Sequence, residues 1–249
     1  DGQSGIGQRV GAVFNRAQTV GQALDSVARQ TWHPVEHVVI DGGSTDGTLD
    51  VLQAHRERLA VLVSEPDRGI YDALNKGLAR ATGEVLGFLH SDDYYASDDV
   101  LARVAEAFAD PAVDAVYGDL DYVSADGQRV IRRWRSGQVT PGRLRRGWMP
   151  PHPALFLRRA VVERWGAYDI SYRIAADYDS ILWYFGQGGI QPAYLPRVLV
   201  KMRVGGESNR SLERIARKSR EDYRALRTNG VGGVGALVWK NLSKVGQFL

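Results

Sequence analysis

The stretch Val38-Val39-Ile40-Asp41-Gly42-Gly43-Ser44-Thr45-Asp46-Gly47-Thr48 decides the fold. An apolar β-branched run stops abruptly on an acid, two glycines and a turn, and helical spacing resumes at Thr48. In open α/β sheets, ligands gather beyond the carboxyl ends of strands, where loops carry polar groups without breaking the hydrogen-bond ladder. Asp41 is therefore expected to face a bound polar ligand. The plainer alternative is a strand that ends in a Gly-rich turn.

On either side the rhythm repeats. Val20, Leu24 and Val27 give residues 17–30 the stripe of an amphipathic helix. Residues 48–58 repeat helical spacing with Thr45 and Asp46 as caps, and 59–63 return to a short strand. Ile70, Leu74 and Leu78 align on one face of a helix over 69–82; residues 84–89 read as a buried strand ending at His90-Ser91-Asp92-Asp93. A helix starting near Ser97 carries Leu101, Val104 and Phe108, and a strand follows over 112–117. Such alternation predicts a mostly parallel sheet flanked by helices.

After Gly118 the pattern changes. Residues 120–124 and 129–134 flank Ala125-Asp126-Gly127 as a β-hairpin, and 135–151 read as a loop over a site. A strand over 154–157, helices over 159–165 and 176–185, and a strand over 194–202 come next; Pro196 puts the last at an edge or a bulge. Helices over 211–229 and 234–249 close the chain. The second carries Leu237, Val238, Leu242, Val245 and Phe248 among Lys240 and Lys244, a mixture suited to packing on its own domain or on a membrane surface. The expected architecture is α/β: a mostly parallel sheet flanked by helices, a small mixed β region, a domain over 1–210 and a helical extension over 211–249.

Composition fits a folded protein, with 249 residues, 44% hydrophobic, 24% charged and a net charge of +3. No apolar run approaches the roughly 20 residues that cross a bilayer. The N-terminus lacks a signal-peptide pattern, so a cytoplasmic location is expected. With no cysteine, disulfides and thiolate chemistry are excluded, and a metal must be held by oxygen or imidazole. Arginine clusters at Arg132-Arg133-Trp134-Arg135 and Arg143-Leu144-Arg145-Arg146 suit anions or a solvated face. The i, i+4 pair His33 and His37 straddles Pro34 and is not read as a metal site.

Two further constellations follow strand ends. In Glu65-Pro66-Asp67-Arg68-Gly69-Ile70-Tyr71-Asp72-Ala73-Leu74-Asn75-Lys76-Gly77, backbone N–H groups at a helix start stand beside Arg68 and Lys76 and could meet an anionic or polar ligand. At Asp92-Asp93, adjacent carboxylates repel unless a cation or a proton relieves them, and oxygen-only ligation is what Mg²⁺ or Mn²⁺ prefers. A helix cap or a solvated turn is the ordinary reading of such a pair.

Taken in this order, the constellations resemble the family 2 glycosyltransferases of the GT-A fold. The resemblance covers about residues 12–210. It rests on Phe14-Asn15-Arg16, the D-G-G-S-T-D-G-T and D-R-G-I-Y-D-A-L-N-K-G runs, His90-Ser91-Asp92-Asp93 in place of the D-x-D element, Met149-Pro150-Pro151-His152-Pro153, and Ala175-Ala176-Asp177-Tyr178-Asp179. It implies an inverting transferase that moves a sugar from a nucleoside diphosphate, with UDP the expected carrier, to a hydroxyl of a glycan or lipid-linked acceptor. Asp93, helped by Asp92, would hold Mn²⁺ or Mg²⁺. Phe14, Asn15, Arg16, Asp41, Gly42 and Ser44 would line the base and ribose, and Asp67, Gly69, Asp72, Asn75, Lys76 and Ser91 the rest of the donor. Asp177 would be the general base, with Asp179 its competitor. Trp148 and His152 belong to the acceptor-side loop, although a satisfied structural histidine is the commoner case. Gly205-Gly206-Glu207-Ser208-Asn209 resembles a segment that closes over the donor.

The expected partners are the donor, the acceptor, the inner face of the cell membrane through the C-terminal helix, and a second copy of the chain; nucleic acid is not expected. One feature departs from the family pattern. Residues 1–11 are too glycine-rich and polar for a good central strand, leaving 10–14 to supply a short one. Competing readings are a nucleotidyltransferase on a similar fold, and a non-catalytic module that binds nucleotide-sugars or polyanions.

Overall fold

A computed structural model describes residues 7–187, 189–204 and 212–242. Its parallel half is built from β1 (Gln8–Val13), β2 (Glu36–Asp41), β3 (Val61–Ser64) and β4 (Val85–Phe88), with β1 between β2 and β4. The helices α1 (Val20–Ala28), α2 (Thr48–Ala54) and α3 (Ile70–Leu78) make the crossovers. Beyond β4 the sheet becomes mixed: β8 (Leu155–Arg158) runs antiparallel to β4 and to β6 (Ala115–Val123), and β9 (Pro192–Arg203) runs parallel to β6. At the far end β5 (Asp93–Tyr95) is antiparallel to β9, and β7 (Val130–Trp134) pairs with β6. Strand order is β3-β2-β1-β4-β8-β6-β9-β5. The α/β architecture expected from the sequence is the one observed.

Hydrophobic faces fix the layers. Val10, Val38 and Ile40 bury one face of the parallel strands against Ala73 and Leu74 of α3. On the other side Leu101, Val104 and Phe108 of α4 (Val100–Phe108) meet Val116 and Phe156. The later helices are α5 (Pro141–Arg145), α6 (Arg159–Trp165), α7 (Ala176–Gly186), α8 (Leu212–Thr228) and α9 (Val234–Leu242). Ala225, Leu226 and Ala236 of α8 and α9 join the cluster that holds Leu74, Tyr178 and Leu182.

Several boundaries move for identifiable reasons. The strand expected over 112–117 and the first hairpin strand are one continuous β6. Gly118 does not break it: a Cβ there would overlap the Leu199 side chain, so glycine lets β9 approach. Pro196 lies at a bulge, between the pairings Tyr117 with Tyr194 and Asp119 with Val198, and β9 is internal to the sheet rather than at its edge. The helix over 48–58 stops at Ala54 and finishes as a 3₁₀ turn, Arg56–Arg58. The loop over 135–151 contains the short α5, capped by the Thr140 side chain.

The unpromising N-terminal stretch nonetheless forms β1. Arg9 is buried, donates from Nη2 to the Phe88 carbonyl at 2.5 Å, and lies over the rings of Tyr95 (4.9 Å) and Phe156 (4.7 Å). Its Nη1 occupies the space that a Cβ on Gly87 would need. Two aromatic faces and a glycine on the adjacent strand thus admit a guanidinium to the middle of the sheet. The segment Gly205–Asn209 and the end of the final helix lie outside the described residues. Among the described residues no helix is long and apolar enough to cross a membrane.

Candidate functional site

The loops after β1 and β2 are tied to one another before any ligand is considered. Asp41, buried at the end of β2, accepts from Ser44 N at 3.1 Å, from the Ser44 hydroxyl, and from Ser64 Oγ at 2.6 Å. Ser44 Oγ in turn accepts from Asn15 N at 2.8 Å, and Asn15 Oδ1 accepts from Thr45 N at 2.9 Å. Asn15 takes φ +50°, a left-handed conformation that asparagine tolerates better than most residues. Arg16 N donates to Thr48 Oγ1 at 2.7 Å. A Cβ on Gly42 would overlap the Asp67 carboxylate and come within 3.4 Å of Phe14, so glycine lets these side chains meet above the strand end. Phe14, 57% exposed, is a large apolar ring left open to solvent at this spot.

Arg16 leads from this corner to the acidic turn: its Nε lies 3.8 Å from Asp92 Oδ2. Asp93 opens β5, is fully buried, and neither carboxylate oxygen has a hydrogen-bond partner. Burial first, and then the Asp92 charge, push its carboxyl well above the usual range, against an opposing pull from Arg203. Arg203, the last residue of β9, donates from Nη1 to the Asp92 carbonyl (2.9 Å), from Nε to the Ala125 carbonyl (3.0 Å) and from Nη2 to Gln22 Oε1. A buried, unpartnered carboxylate suits a hard divalent cation, since it offers the oxygen ligands such ions prefer. Among the described residues no three His, Asp or Glu side chains form a complete ligand set, so donor phosphate and water would have to complete the shell.

Across from this turn stands Asp177 in the first turn of α7, where the positive end of the helix dipole favours an acid. The Tyr71 hydroxyl is 2.9 Å from Asp177 Oδ1 and 2.6 Å from the Ile174 carbonyl, with one proton to give to either. Burial and then the Asp177 charge raise the Tyr71 pKa well above its ordinary value. Burial pushes His90 and His152 down; Asp92 and then Asp177 pull His90 back, and Asp177 pulls back His152, which settles at about 4. Their rings lie 5.7 Å apart; His152 stacks on Phe88 and shares a 2.7 Å hydrogen bond with the Tyr168 hydroxyl. Tyr122 feels both Asp93 and Asp177. Asp177 thus lies within electrostatic reach of His90, just after β4, and of Tyr122, which Asp93 also reaches.

Other expected residues are engaged elsewhere. Both ends of the Asn75 amide bond the backbone of Tyr168, at 2.8 and 3.0 Å, fastening α3 to the loop before α7. Asp72 accepts from Arg68 N and Nη2, and Lys76 pairs with Glu65 at 2.8 Å; both make local structural bonds beside the helix start. Gly69, at φ +120°, caps α3, and its N–H donates to Asp67 Oδ1. Ser91 is buried within the acidic turn. Asp179 accepts from the Tyr172 hydroxyl (3.0 Å) and from Asn229 Nδ2 (2.9 Å), which draws it toward α8 and away from Tyr71. Trp148 donates from Nε1 to the Ser136 carbonyl at 2.9 Å and packs edge-on against Tyr117, a role in folding the loop. Tyr71, His90 and Arg203 were assigned no role from sequence. The first two lie inside quoted motifs and could have been singled out; Arg203 had no local signal. A separate hollow of about 600 Å³, lined by Asp25, His33, His37 and Arg58 among others, contains none of these groups.

Known proteins resemble this chain in sequence and in fold. The sequence model of the family described as "Glycosyl transferase family 2" matches residues 11–166. A protein of Mycobacterium bovis (strain BCG / Pasteur 1173P2) named "PGL/p-HBAD biosynthesis glycosyltransferase" is 36% identical over 201 residues, 79% of this chain and 76% of its own. Among solved structures, S. aureus TarS superposes with a TM-score of 0.70 at 20% identity, over 90% of this chain and 39% of TarS. A mannosyltransferase from Pyrobaculum calidifontis, in complex with GDP-Man and Mn²⁺, superposes with a TM-score of 0.65 at 22% identity, over 90% of this chain and 64% of its own. The chain thus spans about two fifths of TarS, and at these identities the likeness speaks for the fold, the GT-A arrangement.

Proposed function

Because the chain belongs to glycosyltransferase family 2, we propose that it moves a sugar from a nucleoside diphosphate sugar, with UDP the expected carrier, to a hydroxyl of a glycan or lipid-linked acceptor, with inversion at the anomeric carbon. The observations that support this reading are the buried Asp93, neither of whose carboxylate oxygens has a hydrogen-bond partner, and Asp177, whose Oδ1 lies 2.9 Å from the Tyr71 hydroxyl. Phe14, Asn15, Asp41, Gly42, Ser44 and Asp67 form the corner for base and ribose. Arg16, Ser91 and Asp92 stand between that corner and the departing diphosphate. Asp93, with Asp92, would hold Mn²⁺ or Mg²⁺, which when bound supplies Lewis-acid stabilisation of negative charge on the leaving group. Asp177 takes the proton of the acceptor hydroxyl, a role worth roughly 10²–10⁴ in rate. His152, neutral at physiological pH, shapes the acceptor side through Phe88 and Tyr168.

We also propose a membrane surface as a partner. α9 turns Val234, Val238, Trp239 and Leu242 to solvent, and the Arg146 guanidinium lies 5.3 Å from the Trp239 ring, next to the exposed Arg145. An apolar face rimmed by arginine suits anionic lipid.

The test is release of nucleoside diphosphate from UDP-glucose, UDP-N-acetylglucosamine and GDP-mannose with Mn²⁺, comparing the parent with Asp93→Ala and Asp177→Asn. Both variants are expected to lose turnover while Asp177→Asn still binds the nucleotide. Equal turnover in all three proteins would overturn the assignment. Binding of donors or polyanions without turnover by the parent would favour the non-catalytic module.

A further inference from the structure

The loop that delivers Asp177 is held from outside its own element. Ala175, at the N-cap of α7, has no side-chain acceptor to offer, and residues 173–175 approach the helix with their N–H groups directed at one carboxylate on α8. Glu221 Oε2 accepts from Arg173 N at 3.1 Å, from Ile174 N at 2.8 Å and from Ala175 N at 3.0 Å; Oε1 also lies 3.1 Å from Arg173 N. The carbonyl of Ile174 is the one that lies 2.6 Å from the Tyr71 hydroxyl, and that hydroxyl is 2.9 Å from Asp177 Oδ1. One end of Ile174 is therefore fixed by Glu221 and the other by the group that touches the acid.

One turn along α8, Arg224 grips the same loop. It donates from Nη2 to Ser171 Oγ at 2.9 Å, and its guanidinium lies 4.2 Å from the Tyr172 ring. α8 is itself anchored, since Asp222, next to Glu221, forms a buried pair with Lys240 of α9 at 2.9 Å. A carboxylate collecting consecutive N–H groups is a strong and directional fastening, because hydrogen bonds to an ionised acceptor are roughly twice as strong as neutral ones.

We infer that Glu221 is a positioning residue for the transfer reaction: it sets the place of Asp177 by fixing residues 173–175 and, through Ile174, the Tyr71 hydroxyl. This rests on the reading of Asp177 as the general base. Placement errors of about 1 Å at a reacting group can cost on the order of 10²-fold in rate. A loosened loop is accordingly expected to lower turnover while leaving the donor corner, built from β1, β2 and their loops, as it was.

The test measures nucleoside diphosphate release with Mn²⁺ and the most active donor of the panel for the parent, Glu221→Ala, Glu221→Gln, Asp177→Asn and Glu213→Gln. Glu213 lies on the same helix and, among the described residues, pairs with the exposed Arg217, so it serves as the control. Glu221→Ala is expected to lower kcat at least tenfold with donor KM within twofold. Glu221→Gln, which keeps one acceptor oxygen, is expected to fall between it and the parent. Amide exchange at Ile174 and Ala175 is expected to speed up in Glu221→Ala. In the Asp177→Asn background, adding Glu221→Ala is expected to change the residual rate by less than twofold. A normal kcat in Glu221→Ala beside an inactive Asp177→Asn overturns the positioning role and leaves the base assignment standing, as does a parallel fall of kcat, donor affinity and Tm. An Asp177→Asn protein that turns over at the parental rate removes the base assignment, and the positioning role with it.

Discussion

At the scale of single residues, the side chains of the candidate site range from fully partnered to unpartnered. Asp41 is saturated by Ser44 and Ser64, which makes it a rigid wall. Asp93 is buried with no hydrogen-bond partner on either carboxylate oxygen. Tyr71 lies between these extremes, with a single proton facing two acceptors. Removing its hydroxyl tests how much that contact orients Asp177. Tyr71→Phe is expected to lower kcat about tenfold with donor KM unchanged, since a hydrogen bond to a charged group is worth about 1.5–3 kcal/mol; steady-state kinetics on the donor panel would check this. The placement of Asp41, Asp93 and Asp177 near a strand end or a helix start was legible in the sequence, because the apolar runs over 38–40 and 84–89 and the helical spacing over 176–185 mark those boundaries. The reassignment of Asn75 and Trp148 was not, because their partners, Tyr168 and Ser136, are backbone groups 93 and 12 positions away. No pattern of residue types encodes a bond to a distant main chain.

At the scale of elements, the helical stripes on α1, α3 and α4 follow from spacing alone, and the parallel strands they cover were equally plain. β1 was not, since a strand that opens with Gln8 and Arg9 and contains Gly11 contradicts ordinary strand preference. What overrides that preference is tertiary: Phe88, Tyr95 and Phe156 receive the guanidinium, and Gly87 leaves the room. β5 was hidden for another reason, because its three residues pair only with β9, more than a hundred positions later. The joint between α8 and α9 carries a different sort of risk. Lys240 and Asp222 are each 3% exposed in their side chains, and Lys240 Nζ lies 3.1 Å from the centre of the Tyr178 ring. Burial pushes the Asp222 carboxyl up, but Lys240 and Lys218 outweigh it and hold the group below its ordinary range. Removing one partner leaves a buried charge uncompensated. Asp222→Ala is therefore expected to lose roughly 3–5 kcal/mol of stability, read from denaturant midpoints. Replacing both Asp222 and Lys240 by apolar residues is expected to recover most of that loss.

At the scale of the whole molecule, the buried imidazoles of His37, His90 and His152, all pushed down by burial, are expected to make the fold acid-labile. Burial lowers His37 to about 3 and His152 to about 4, whereas both titrate near 6.5 when the chain is unfolded. Between these values the unfolded chain binds protons that the native state refuses. Their contribution is thus complete above about pH 6.5 and is lost as the pH falls toward the folded values. The expected loss is about 2 kcal/mol for each of His37 and His152 by pH 5, measured as a falling urea midpoint, and His37→Gln is expected to make the slope shallower. The depressed Asp222 adds a second loss at more acidic pH, as protons reach its carboxylate. The outward apolar face of α9 gives another whole-molecule expectation. The protein should co-sediment with vesicles containing phosphatidylglycerol and fail to do so with phosphatidylcholine alone, and Trp239→Ala should weaken the association several-fold.

Arg203 has a consequence for anyone recombining this protein with its relatives. One guanidinium bolts together α1, the backbone at Asp92 and the tip between β6 and β7. Swapping that tip, or β9 itself, would remake the contacts at Asp92 and Gln22 along with the graft. Chimeras joined downstream of Val204 would keep Arg203 and its hairpin from the same parent, and their donor preference would travel as a unit.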